Sequence, residues 1–131
     1  MEKEFMSYNL ALELKDLGFD EPCFGFYDSD GYWYLQHARN GNIFKRNAGC
    51  LSPTFSQIFR WFREKYDLTW EHQFNDSNIS LYVGEITYPD NSLEFFKNIN
   101  VEYDGYNKAY EEAELECLKK LIEITKEQNV K

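Results

Sequence analysis

Six cations, Arg39, Lys45, Arg46, Arg60, Arg63 and Lys65, fall between residues 39 and 65 with only Glu64 against them, in a chain whose net charge is -9. Guanidinium and ammonium groups gathered in this way can hold a phosphate, a nucleotide or an acidic protein surface through charge-assisted hydrogen bonds. Arg60 and Arg63 stand three residues apart, which puts them on one side of a helix. Lys45 and Arg46, from the segment before it, complete a candidate binding patch. Trp61 lies about 100° from the apolar centre of the same helix, a position expected to be half exposed and able to anchor a partner. The bland alternative is that these cations pair with the acidic first and last helices, since surface charge clusters are commonly solvated or paired.

Other chemistry-bearing residues are scattered. Tyr32, Trp33 and Tyr34, with Trp61, could stack bases as single-strand binders do. The negative net charge opposes a nucleic-acid backbone, and aromatic residues on a strand usually pack a sheet, so nucleic acid is not the expected partner. His37 and His72 are the two histidines, and neither has a cysteine or carboxylate at metal-ligand spacing. Three cysteines at wide spacings, without a CxxC pair, read as reduced thiols. Cys23 and Cys117 look like small core hydrophobes. Cys50, beside Gly49, is the one expected to be exposed, and it would need His37 or His72 brought near it to act as a nucleophile. Glu111, Glu112, Glu114 and Glu116 point around a helix instead of converging. With no glycine-rich phosphate loop, GxSxG or HExxH present, no catalytic residue is assigned and no metal or cofactor is implied.

The elements that would position these groups can be read from periodicity. Leu10, Leu14 and Leu17 make residues 8 to 17 a short amphipathic helix, ended by Gly18, with Phe19 placed to fold back on Leu14. From Pro22 to Arg46, short aromatic runs alternate with Asp28-Ser29-Asp30-Gly31 and Asn40-Gly41, which is hairpin punctuation. Ser52 and Pro53 read as the cap and first residue of a central helix, 52 to 66, whose Phe55, Ile58, Phe59, Phe62 and Tyr66 form an apolar stripe about 100° wide.

Two strands, Thr69 to Phe74 and Ile79 to Tyr88, follow around Asn75-Asp76-Ser77-Asn78. Ile79, Leu81 and Val83 share one parity and Ile86 and Tyr88 the other, so a bulge near Gly84 would keep all five on one face, and without a bulge one group faces out. After Tyr88-Pro89-Asp90-Asn91, a strand is expected only around Ile99, Val101 and Tyr103, because Leu93 to Phe96 could begin a helical turn. Residues 108 to 127 form a long helix, with Glu116 and Lys120 at pairing distance in sequence.

The order helix, strands, helix, strands, helix gives an α+β fold, a mainly antiparallel sheet with about three helices packed on it, in a single domain over 1-131. Scattered Glu2, Glu4 and Glu13 argue against a secretory signal, and no apolar run reaches the roughly 20 residues that span a bilayer. A soluble, cytoplasmic protein is expected.

The segments ALELKDLGFDEPCFGFY, SPTFSQIFRWFREKY and YEEAELECLKKLIEI resemble small uncharacterised proteins of gut Bacteroides and their phages or mobile elements. The resemblance covers roughly half of the chain and implies a bacterial or phage source and one small domain, with no activity attached. The functional expectation is a non-enzymatic module that binds a protein, through helix 52 to 66, with Trp61, Arg60 and Arg63 foremost. In a variant of that idea, the acidic surface imitates nucleic acid. The alternative is a small phosphate- or nucleotide-binding protein or enzyme built on Lys45, Arg46, Arg60 and Arg63. A bare edge strand in so aromatic a sheet would also make a homodimer reasonable.

Overall fold

The computed structural model describes residues 4–35, 49–86, 92–101 and 105–130. Among them are three helices and two three-stranded antiparallel sheets, in the order helix, strands, helix, strands, helix. The fold is α+β. The chain divides into two compact units, Met1–Ile58 and Phe59–Lys131.

In the first unit, helix α1 (Tyr8–Asp16) opens with Ser7, whose hydroxyl accepts from the Leu10 amide. It closes on Gly18 at φ 96°, with the Gly18 amide donating to Lys15 and the Phe19 amide to Leu14. This paired arrangement is what a left-handed residue after the last turn permits, and it buries Phe19 and Leu14 as expected. Strands β1 (Gly25–Tyr27), β2 (Trp33–Leu35) and β3 (Cys50–Ser52) form a sheet in the order β2-β1-β3. Asp28 organises the β1–β2 turn: its Oδ1 accepts from the amides of Asp30 and Tyr32, at 2.9 and 3.0 Å. Its carboxyl lies below the usual range because Tyr32, Asp30 and Gly31 amides and the Tyr34 hydroxyl favour the anion, the Tyr32 amide most of all.

Strand β3 corrects the expectation that Ser52 caps the central helix. Ser52 is paired with Gly25 in the sheet, is fully buried, and donates its hydroxyl to the Met6 carbonyl at 2.9 Å. Helix α2 (Phe55–Tyr66) is capped instead by Thr54, whose Oγ1 accepts from the Gln57 amide at 3.2 Å. Pro53 precedes that cap and gives its carbonyl to the Met6 amide. The Asn40-Gly41 hairpin, His37, Lys45 and Arg46 lie outside the described residues.

In the second unit, β4 (Leu68–Asn75), β5 (Asn78–Glu85) and β6 (Ser92–Asn100) form a sheet in sequence order, and α3 (Tyr106–Val130) packs on one face. Ile79, Leu81 and Val83 of β5 and Ile99 of β6 are buried, as are Ala109, Ala113, Cys117, Leu118, Leu121 and Thr125 of α3. The buried Thr125 hydroxyl is satisfied by the Leu121 carbonyl at 2.8 Å.

Two points that the sequence left open are decided in this sheet, Tyr88 lying outside the described residues. Strand β6 begins at Ser92, so Leu93 to Phe96 is strand and not a helical turn, and the register shift falls in β6. Leu81 pairs with Lys97 and Tyr82 with Phe95, which leaves Phe96 as the extra residue. Strand β5 runs through Gly84 without a bulge, and Ile86 is accordingly exposed. Glu116, expected to pair with Lys120, reaches across to Lys97 instead, with Nζ and Oε1 3.2 Å apart. Lys120 turns to Glu123 at 3.6 Å.

Candidate functional site

Trp61, expected half exposed, is buried at 4% exposure. Its ring meets Phe62 and Tyr66 edge to face at 5.1 and 5.4 Å, and Lys65 Nζ stands 5.2 Å from its centre. Trp61 widens the buried face of α2 by one position beyond the five-residue stripe. Arg60 and Arg63 are exposed and make no ion pair among the described residues.

Cys50, expected to be exposed, is fully buried in β3, and burial pushes its thiol up. Cys23 and Cys117 are also buried, and desolvation pushes each up to about 12. All three are free thiols without thiolate character. Among the described residues, no group of three or more His, Cys, Asp or Glu side chains could hold a metal ion.

An open groove of about 490 Å³ is lined by Leu68, Val83, Ile124, Glu94, Lys120 and Glu127, among others. Its carboxylates outnumber its one ammonium, which suits neither a phosphate nor a nucleotide.

The most distinctive feature of the second unit is strand β4. Its pairing with β5 runs unbroken from Leu68 opposite Glu85 to Asn75 opposite Asn78. The Ile86 amide donates to Asp67 at 2.7 Å, which makes Asp67 and Ile86 a bonded pair. Bonded pairs alternate along an antiparallel ladder, so Thr69, Glu71, Gln73 and Asn75 turn their backbone groups toward β5. Leu68, Trp70, His72 and Phe74 turn theirs outward, where no strand among the described residues pairs with them.

Beside that row of backbone groups runs an aromatic strip on the face that α3 shares. Trp70 lies 5.4 Å from Phe59 and 6.2 Å from Tyr110, His72 meets Tyr110 at 5.2 Å, and Phe74 meets Tyr106 at 5.3 Å between ring centres. Burial first, then Glu114, pushes the Tyr110 phenol up and keeps it a neutral donor. Residues Glu71 to Asn75 are all exposed, Phe74 at 51% and its α3 neighbour Tyr106 at 44%.

The other edge of the same sheet is built differently. Strand β6 carries the Phe96 bulge and Lys97, two devices by which edge strands refuse a further strand. Strand β4 has neither Lys nor Pro, and its ladder is regular over eight residues. Sequence reasoning assigned β4 as a strand but not as an edge, because edge status depends on pairing order. The absence of Lys, Pro and a bulge signal in Leu68–Asn75 was the trace it left.

Compared with protein-family models, curated proteins and solved structures, the chain finds no match. No helix among the described residues is long and apolar enough to cross a membrane.

Proposed function

We propose that this protein is a non-enzymatic protein-interaction module, an accessory protein of bacterial or phage origin, whose contact surface is the outer edge of β4. The observation that carries this reading is the backbone row of Leu68, Trp70, His72 and Phe74, unpaired among the described residues, beside a partly exposed aromatic strip. Edge backbone groups supply directional hydrogen bonds to an added strand, and rings beside them supply apolar area with little conformational entropy to lose. This moves the contact from helix α2 to β4, since Trp61 is buried and can anchor nothing outside the chain.

A second reading keeps the basic patch as a phosphate or nucleotide site. Its support is the exposure of Arg60 and Arg63, which form no ion pair among the described residues. One comparison separates the two. A binding protein captured by the wild type, lost with Phe74→Lys and kept with Arg60→Ala/Arg63→Ala supports the β4 edge. Capture that survives Phe74→Lys and fails with the double arginine variant supports the patch.

A further inference from the structure

We propose that the occupant of the β4 edge is a second copy of this chain, its β4 paired antiparallel with the first about a two-fold axis midway between the two copies of His72. This rests on reading β4 as a docking edge and adds the partner and the register.

The geometry leaves few choices. Two copies of one strand joined antiparallel share a two-fold axis perpendicular to the sheet, so each residue faces one whose side chain lies on the same side. The axis must then pass midway between the two copies of one residue, and in Leu68–Asn75 the two central positions are Glu71 and His72. An axis at Glu71 sets two carboxylates directly opposite one another, which is repulsive. An axis at His72 sets Glu71 opposite Gln73 of the second copy, a carboxylate against an amide donor.

The same register completes the rest of the edge. Trp70 faces Phe74 of the second copy and Phe74 faces its Trp70, pairing large rings across the strands. The outward backbone groups of Trp70, His72 and Phe74 exchange both N–H···O bonds with their opposites, while Glu71 and Gln73 sit at the close, non-bonded positions where side chains interact most. Because the axis preserves faces, both α3 helices stay on one side of the continuous six-stranded sheet. Tyr106 and Tyr110, which touch Phe74 and His72, line the seam from that side. Each copy carries a net charge of -9, so long-range repulsion opposes association and added salt favours it.

Sedimentation velocity over a concentration series tests this on the full chain, with wild type, Gln73→Lys and Gln73→Glu. Residue 73 is exposed, so neither variant disturbs the core. By symmetry Gln73→Lys sets an ammonium opposite Glu71 at two places in the seam and should tighten the dimer roughly five-fold, while Gln73→Glu sets carboxylates opposite and should weaken it by a similar factor. Wild type that stays monomeric to millimolar concentration overturns the proposal. So does a dimer whose affinity ignores both variants, or moves the same way with both, because its seam then lies elsewhere. The broader reading of β4 fails separately, when Phe74→Lys leaves capture of a binding protein unchanged.

Discussion

The rings of Phe74 and Tyr106 meet edge to face with 5.3 Å between centres, and each is still more than two-fifths exposed. A strand edge and a helix N-terminus thus hold apolar surface in place without burying it. Aromatic pairs of this geometry contribute about 0.5–1.5 kcal/mol beyond area burial, and half-burial of the ring adds roughly 1 kcal/mol, so Phe74→Lys should lower stability by about 1–3 kcal/mol at most. It should also abolish docking at β4. Thermal unfolding and a binding assay on the same sample check both halves, and a large loss of stability would make Phe74 a core residue.

Trp61 is the opposite case. Only 4% exposed and in contact with Phe62 and Tyr66, it behaves as core. Trp61→Ala should cost about 3–5 kcal/mol of unfolding free energy, measured by denaturant titration. An unchanged midpoint would return Trp61 to the surface.

The thiols give a chemical check on burial. Native protein at pH 8 should resist iodoacetamide at Cys23, Cys50 and Cys117, and unfolded protein should take up three labels, read by intact mass. Rapid labelling of Cys50 in the native state would contradict the placement of β3.

Asp28 predicts an acid response. Its folded carboxyl titrates below the ordinary value, chiefly because the Tyr32 amide bonds the anion. A depressed folded value means the contribution is present above the unfolded carboxylate range, about pH 3.9, and is lost as pH falls through the folded value. Asp28→Asn should therefore be less stable than wild type at neutral pH and equal to it in strong acid. A difference that persists unchanged in acid would show that the Asp28 charge plays no part in the turn.

Gly49 lies where a side chain has no room. A Cβ there would overlap the Tyr27 carbonyl beside β3. Gly49→Ala should destabilise the first unit sharply, seen as a lowered melting temperature, and an unchanged one would mean that β1 and β3 do not approach as described.

How much of this could be read from the chain differs by element. The close of α1 was legible because Gly18 and Phe19 form a local motif whose hydrogen bonds span only a few residues. The β1–β2 turn and the β4–β5 hairpin were legible for the same reason, through Asp28 and Asp76-Ser77. Strand β3 was missed because it is three residues long and because Ser52-Pro53 imitates a helix cap, while Ser52 is claimed by Gly25 and Met6, both far away in sequence. The start of β6 was obscured by Phe96, the bulge that breaks period two. For the candidate site the gap is wider. Its residues are ordinary strand residues, and what sets them apart is that nothing described pairs beyond them, a property of topology that no local pattern encodes.

Amide exchange across β4, followed by NMR in dilute and concentrated protein or with a captured partner, tests the docking edge most directly. The account predicts alternation: the amides of Trp70, His72 and Phe74 exchange quickly in the free state and become protected on association, while those of Glu71 and Gln73 are protected throughout by β5. Association that leaves Trp70, His72 and Phe74 exchanging as fast as before would contradict it.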